Sequence, residues 1–187
     1  MRLILICTAI LAVAACHKPA QQAANQASPT VEAGPHKGVD RSHKGQPFPN
    51  VKFIDEEDHE TGYAPLLGHP TLVNLWATWC APCVKELPTL EALSGKNADL
   101  TVATINQDSA PRASVEAFLQ QHKLNLPTYR DPKMVVSGAL GPDTVLPTSI
   151  LYDAQGKEVW RYVGDLDWTS PEAAKLLAEG GVVSKKA

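Results

Sequence analysis

The pentapeptide Trp79-Cys80-Ala81-Pro82-Cys83, set directly behind the run Thr71 to Trp76, constrains this chain more than any other feature. That run is apolar throughout except for Asn74, and it reads as a strand buried on both faces in the middle of a sheet. The residues behind the pentapeptide read as a helix. Val84, Leu87, Leu90 and Leu93 fall on one face, although Pro88 costs one backbone hydrogen bond and bends the helix. Both sulfurs are thereby gathered at a helix N-terminus. Unpaired backbone N–H groups and the helix dipole favour negative charge there, which stabilises a thiolate at Cys80, the attacking form in disulfide exchange. The spacing lets Cys83 reach back to close a ring with Cys80, and Pro82, fixed near helical φ, suits a first helical turn.

The N-terminus bounds what the remaining cysteines do. Met1 and Arg2 precede an unbroken apolar or small run from Leu3 to Ala15, a signal-peptide pattern too short to span a bilayer. The run ends in Val13-Ala14-Ala15-Cys16, which resembles the bacterial lipobox. That resemblance implies cleavage after Ala15 and a lipidated Cys16 as mature N-terminus; the alternative is a plain signal peptide with a Cys near its cleavage site. Cys7 lies in the segment that either reading removes. Of the four cysteines, Cys80 and Cys83 are then left to the folded part. A disulfide-stapled scaffold needs several bridges, and a structural zinc site needs two further ligands at matching spacing; neither is available.

Residues 16–46 are rich in Ala, Gln, Pro, Lys and His and show neither period nor aromatic residue, so they read as an exposed tether that packs against nothing. Its random-coil reach is on the order of 30 Å from a membrane surface. The folded domain is expected over 47–187. Hydrophobic residues make up 44% of the chain and charged ones 20%, a globular balance for one domain. A net charge of -3 with no Lys/Arg cluster removes the electrostatic footprint of a nucleic-acid binder.

Val51 to Ile54 alternates as a half-buried strand, followed by the acidic turn Asp55 to Asp58, a solvated loop rather than a metal site. Leu100 to Ile105 reads as a buried strand and Ala113 to His122 as a helix with Val115, Phe118 and Leu119 inward. Asp131 reads as the cap of a short helix from Met134 to Leu140. Strands at Thr148 to Tyr152 and Glu158 to Val163 are joined by the turn Asp153-Ala154-Gln155-Gly156. Ser170, Pro171 and Glu172 open a last helix that ends at Gly180-Gly181. This order predicts an α/β sandwich with a mixed sheet.

The stretch Leu72 to Cys83, with Glu86, Pro88 and a later Pro-Thr ahead of a strand, resembles the envelope branch of the thioredoxin fold. More narrowly it is similar to the TlpA/ResA-like thiol-disulfide oxidoreductases, from about Gln46 to about Gly180, with Val115 to Asp131 filling that family's helical insertion. The resemblance implies a central mixed β-sheet flanked by helices, a redox-active Cys80–Cys83 pair and no cofactor. It implies a cis proline at Pro147, with the backbone of Leu146 beside the sulfurs as a strand-pairing edge for substrate, and Thr148 next to it. Trp79 covers one side of the disulfide and offers an apolar surface to partners; Trp76 and Trp168 read as packing. The buried acid of thioredoxin is matched here by Asn74, which takes no proton. Glu86 is therefore the candidate to deprotonate Cys83, the alternatives being a solvated helix residue and water as carrier.

Implied partners are protein dithiols and disulfides, a membrane thiol carrier as electron donor, and the membrane itself through the lipid anchor. The implied place is the periplasmic side of the bacterial envelope, and the implied substrates include haem-binding thiols of apocytochrome c and metal-site disulfides. Ala81 and Pro82 supply no His or Lys to hold a thiolate, which favours a reductant near about -270 mV over an oxidant near about -120 mV. A peroxidase of related fold wants Thr where Ala77 stands. A copper-binding metallochaperone using both thiolates is the rival from another class, without a clear third ligand.

Overall fold

The computed structural model describes residues 37–182. Among them eight strands and four α-helices follow in the order β1 (Gly38–Asp40), β2 (Phe53–Ile54), β3 (Glu60–Thr61), β4 (Thr71–Trp76), α1 (Ala81–Ser94), β5 (Thr101–Asn106), α2 (Arg112–Gln121), β6 (Thr128–Arg130), α3 (Val135–Leu140), β7 (Thr148–Tyr152), β8 (Glu158–Val163) and α4 (Pro171–Ala178). The strands form one mixed sheet in the order β1-β8-β7-β4-β5-β6-β2-β3. β4, β5 and β6 run parallel, and the other pairings are antiparallel. The expected α/β architecture of the thioredoxin fold is the observed one.

All six residues of β4 are buried, as its composition demands. Its period-two alternation sends Leu72 and Trp76 to the face covered by α1 and α4, and Val73 and Leu75 to the face that holds Phe48, Phe53, Val136 and Leu140. Asn74 shares the α1 face by the same alternation. The α1 stripe Leu87, Leu90 and Leu93 is buried with Cys83 and Glu86, while Pro88 sits exposed and the helix runs through it. Truncating a fully buried leucine such as Leu90 to alanine costs about 2 to 5 kcal/mol. The expected insertion is a β5-α2-β6 crossover, with Phe118 tilted against Trp76 at 6.2 Å.

Local signals hold where they are short-ranged. The carboxylate of Asp131 accepts hydrogen bonds from the backbone of Val135 and Val136 and so caps α3; Ser170 accepts from Ala173 N and caps α4. The β7–β8 turn closes at Gly156, whose φ of 73° favours glycine.

The tether expected over 16–46 is corrected at its C-terminal end. β1 pairs with β8, the backbone N–H of Gly45 donates to Glu158 O at 2.7 Å, and Glu158 N donates to Gln46 O at 2.8 Å. Arg41 forms two hydrogen bonds with Glu179, at 2.6 and 3.0 Å. An edge strand is held by backbone groups and needs no apolar period, so nothing local announces it. β3 and β6 are likewise too short to carry a pattern. The expected signal peptide 1–15, Cys16 and residues 17–36 lie outside the described residues. Among the described residues no helix is long and apolar enough to cross a membrane.

Candidate active site

β4 ends at Trp76, and four residues later the chain enters α1 with Cys80 as its N-cap. Cys80 and Cys83 are joined in a disulfide with Cα atoms 5.2 Å apart. The backbone N–H of Cys83 donates to Cys80 Sγ at 3.3 Å, so a helix-terminal donor points at that sulfur, an arrangement that favours negative charge there. Cys80 is 6% exposed and Cys83 fully buried, which leaves Cys80 the sulfur nearer solvent. Trp79 beside them is 66% exposed, an unusual position for so large an apolar ring. The loop is fixed from below: Thr78 N donates to Asp108 Oδ2 at 3.0 Å, and Asp108 is itself held by Asn106.

The Leu146–Pro147 bond is cis. Because Leu75 of β4 is paired with Thr148 of β7, Pro147 stands level with the end of β4, on the rim where the disulfide lies. Leu146 packs against the cluster that contains both cysteines, and Val145 is exposed close by in sequence. Thr148 is buried and its hydroxyl donates to Val145 O at 2.6 Å, so this side chain is used in shaping the loop.

Glu86, one turn beyond Cys83, is 2% exposed, which rules out the solvated helix residue that the sequence left open. Its Oε1 accepts from Asn74 Nδ2 at 2.8 Å; its Oε2 accepts from Leu166 N at 3.1 Å and from Trp168 Nε1 at 3.2 Å. Burial pushes the carboxyl up to about 7, against the pull of these three donors and with a small further push from Asp165. Asn74 Nδ2 also donates to Ser149 Oγ at 2.9 Å. Trp168 is packed as expected, buried and stacked on Trp160 at 6.3 Å. Its indole N–H on Glu86 is the part that sequence reasoning missed, together with Ser149 and Leu166. Nothing in the stretch Gly164 to Trp168 names a partner on α1.

Asp165, the residue before Leu166, is bonded by Lys37 Nζ at 2.6 Å and Lys85 Nζ at 3.0 Å. These two lysines hold its carboxyl down at about 2. Among the described residues, Asp55, Glu57 and His59 are the one trio of metal-type donors that come together, but Asp55 Oδ1 already accepts from the backbone of Glu57 and His59. That is a loop bracing itself on its own backbone.

The chain matches the family model Redoxin over residues 43–177. It is 33% identical over 124 residues to the thiol-disulfide oxidoreductase ResA of Bacillus cereus, covering 65% of this chain and 70% of that protein. It is 31% identical over 118 residues to the thioredoxin-like protein YneN of Bacillus subtilis, covering 60% and 67%. Among solved structures it is similar in fold to a secreted thiol-disulfide isomerase from Corynebacterium glutamicum, with a TM-score of 0.62 and 23% identity over 72% of this chain and 85% of that one.

Proposed function

The chain belongs to the Redoxin family and is a thiol-disulfide oxidoreductase of the ResA type, and from that premise we propose that it reduces protein disulfides in the bacterial cell envelope. The observation that carries the reading is the Cys80–Cys83 disulfide at the N-terminus of α1, with a buried, high-pKa Glu86 one turn behind it. In the reduced protein the Cys80 thiolate attacks a substrate disulfide, forming a mixed disulfide and releasing one substrate thiolate. Glu86 takes the proton of Cys83. The Cys83 thiolate then attacks Cys80 Sγ, the second substrate sulfur leaves as thiolate and is protonated, and the Cys80–Cys83 disulfide is restored. A general base poised near neutrality matches a carboxyl whose pKa is about 7. Trp79 and the Leu146 backbone receive the substrate, and Thr148 holds the loop on which Pro147 presents it.

The direction follows from chemistry. Ala81 and Pro82 add no cation to stabilise a thiolate, so the dithiol gives up electrons readily and must be recharged by a dithiol donor, here a membrane thiol carrier. Residues 1–15 act as signal peptide and Cys16 as lipid anchor. The substrates are envelope proteins such as apocytochrome c or disulfide-blocked metal sites.

Equilibration with glutathione and with dithiothreitol, read by thiol alkylation, measures the potential. A value near about -270 mV is expected, and one near about -120 mV sinks the reductant reading. In the reduced protein at neutral pH, iodoacetamide is expected to modify Cys80 before Cys83; the reverse order exchanges attacker and resolver. Cys16→Ala is expected to release the folded protein from washed membranes, and retention there excludes lipidation at Cys16 as the anchor.

A further inference from the structure

Asn74 lies inside β4, fully buried, and its side-chain amide is paired at one end only. Nδ2 donates to Glu86 Oε1 at 2.8 Å and to Ser149 Oγ at 2.9 Å, whereas Oδ1 is buried without a partner. An orphaned carbonyl in the middle of a sheet is costly and calls for a reason.

The two oxygens of Glu86 supply one, because they are not alike. Oε2 accepts from Leu166 N at 3.1 Å and from Trp168 Nε1 at 3.2 Å, while Asn74 Nδ2 is the one donor to Oε1 among the described residues. A proton taken up by this carboxyl therefore sits on Oε1, and a buried O–H needs an acceptor. The group that faces it at 2.8 Å is an NH2, which accepts nothing. A half-turn about the Cβ–Cγ bond of Asn74 removes the conflict. Amide oxygen and nitrogen have nearly the same shape, and this torsion is broad and roughly two-fold, so the exchange needs no repacking. Oδ1 then faces Glu86 Oε1 and Ser149 Oγ together. Ser149 suits both orientations, since a hydroxyl accepts from an NH2 and donates to a carbonyl.

Each orientation leaves one end of the amide unpaired, so that count favours neither. Glu86 decides between them. Against the carboxylate, the turned amide sets two oxygens at hydrogen-bond distance with no proton between; against the acid, the unturned amide leaves the O–H without an acceptor. We propose that Asn74 is a positioning residue for Glu86 in both of its states, donating Nδ2 to the carboxylate and turning over to accept the proton of the acid on Oδ1. The acid is thereby held while the Cys83 thiolate attacks Cys80, a use that rests on the reading of Glu86 as the base for Cys83.

The test is a titration of the oxidised full-length protein, in which neither cysteine ionises. The other ionisable groups acting on Glu86 are Asp165 before α4, Tyr162 on β8 and Lys37 ahead of β1; Lys85, beside it on α1, is bonded to Asp165. Asp165 lies at about 2, burial raises Tyr162 and the bond to Asp165 raises Lys37, so none of the three changes charge between pH 5 and pH 9. With 15N and 13C labels, the nuclear Overhauser effect between the Asn74 NH2 and the Ser149 β-protons is expected to be strong at pH 9. At pH 5 it is expected to be severalfold weaker, with a midpoint that matches the Glu86 13C-carboxyl titration. An intensity independent of pH overturns the proposal. Asn74→Leu removes a donor to the charged form and an acceptor for the acid together, so the Glu86 pKa is expected to move by no more than a few tenths of a unit. A rise of about one unit marks a donor to the carboxylate alone and also overturns it. The first measurement uses the wild-type protein and stands even if Asn74→Leu does not fold. Neither measurement follows disulfide exchange: if water carries the Cys83 proton the rotation survives, and if the amide stays fixed Glu86 is still free to act as the base.

Discussion

Glu86 and Asp165 lie on either side of one backbone amide, that of Leu166, and their acidities move in opposite directions. Glu86 takes three hydrogen bonds and still rises to about 7; Asp165 takes two, from Lys37 and Lys85, and falls to about 2. Donor count does not decide between them. The donors on Glu86 are neutral and arrive with full loss of solvent, whereas those on Asp165 are cations at a surface that keeps water. The α4-proximal loop thus leaves one carboxyl titrating near neutral pH and the other ionised there.

The largest way to break this contrast is Glu86→Gln. The folded protein holds the Glu86 proton up to about 7, while an unfolded glutamate gives it up near its ordinary value of 4.5. Its contribution to stability is therefore fully present below pH 4.5 and is lost as pH rises through 7. Wild type minus variant stability, from urea melts, is expected to fall by about 3 kcal/mol between pH 4 and pH 8. A flat difference means that Glu86 ionises normally. The same variant is expected to resolve a mixed disulfide at Cys80 about 100-fold more slowly near neutral pH, the gap closing as rising pH ionises Cys83 unaided. Stopped-flow profiles that superimpose with wild type assign the proton to water.

Trp168→Phe keeps the ring stacked on Trp160 and deletes one donor to the charged form of Glu86. The Glu86 pKa, followed by 13C-carboxyl NMR, is expected to rise by about one unit, and an unchanged value removes Trp168 from the site. Asp165→Asn has the smallest effect. Asp165 contributes stability above pH 3.8 that is lost as pH falls through about 2. With both lysines largely exposed, the loss at pH 7 is expected to stay under about 1 kcal/mol and to shrink in high salt. A loss that persists in high salt makes this clamp more than a surface ion pair.

Elements governed by neighbours a few residues apart were legible. Thr148 to Tyr152 and Glu158 to Val163 have the ends that the hairpin turn and the proline predict. The pair Cys80 and Cys83 sits on a helix N-terminus because an apolar strand, a Pro at the first turn and a leucine stripe are all local facts. β1 was not legible, since its reason for being a strand is β8, more than a hundred residues away.

By itself, then, the sequence determined the fold class and the chemistry of the cysteine pair, because periodicity and capping are written within single elements. Only the tertiary structure decided that Glu86 is dry, that Trp168 reaches it from 82 residues on, and that Asn74 Oδ1 is buried without a partner. Exclusion of water is a property of everything that packs around a group. No residue carries it in its own neighbourhood of the chain, and from it come both the high pKa of Glu86 and the unpaired carbonyl of Asn74.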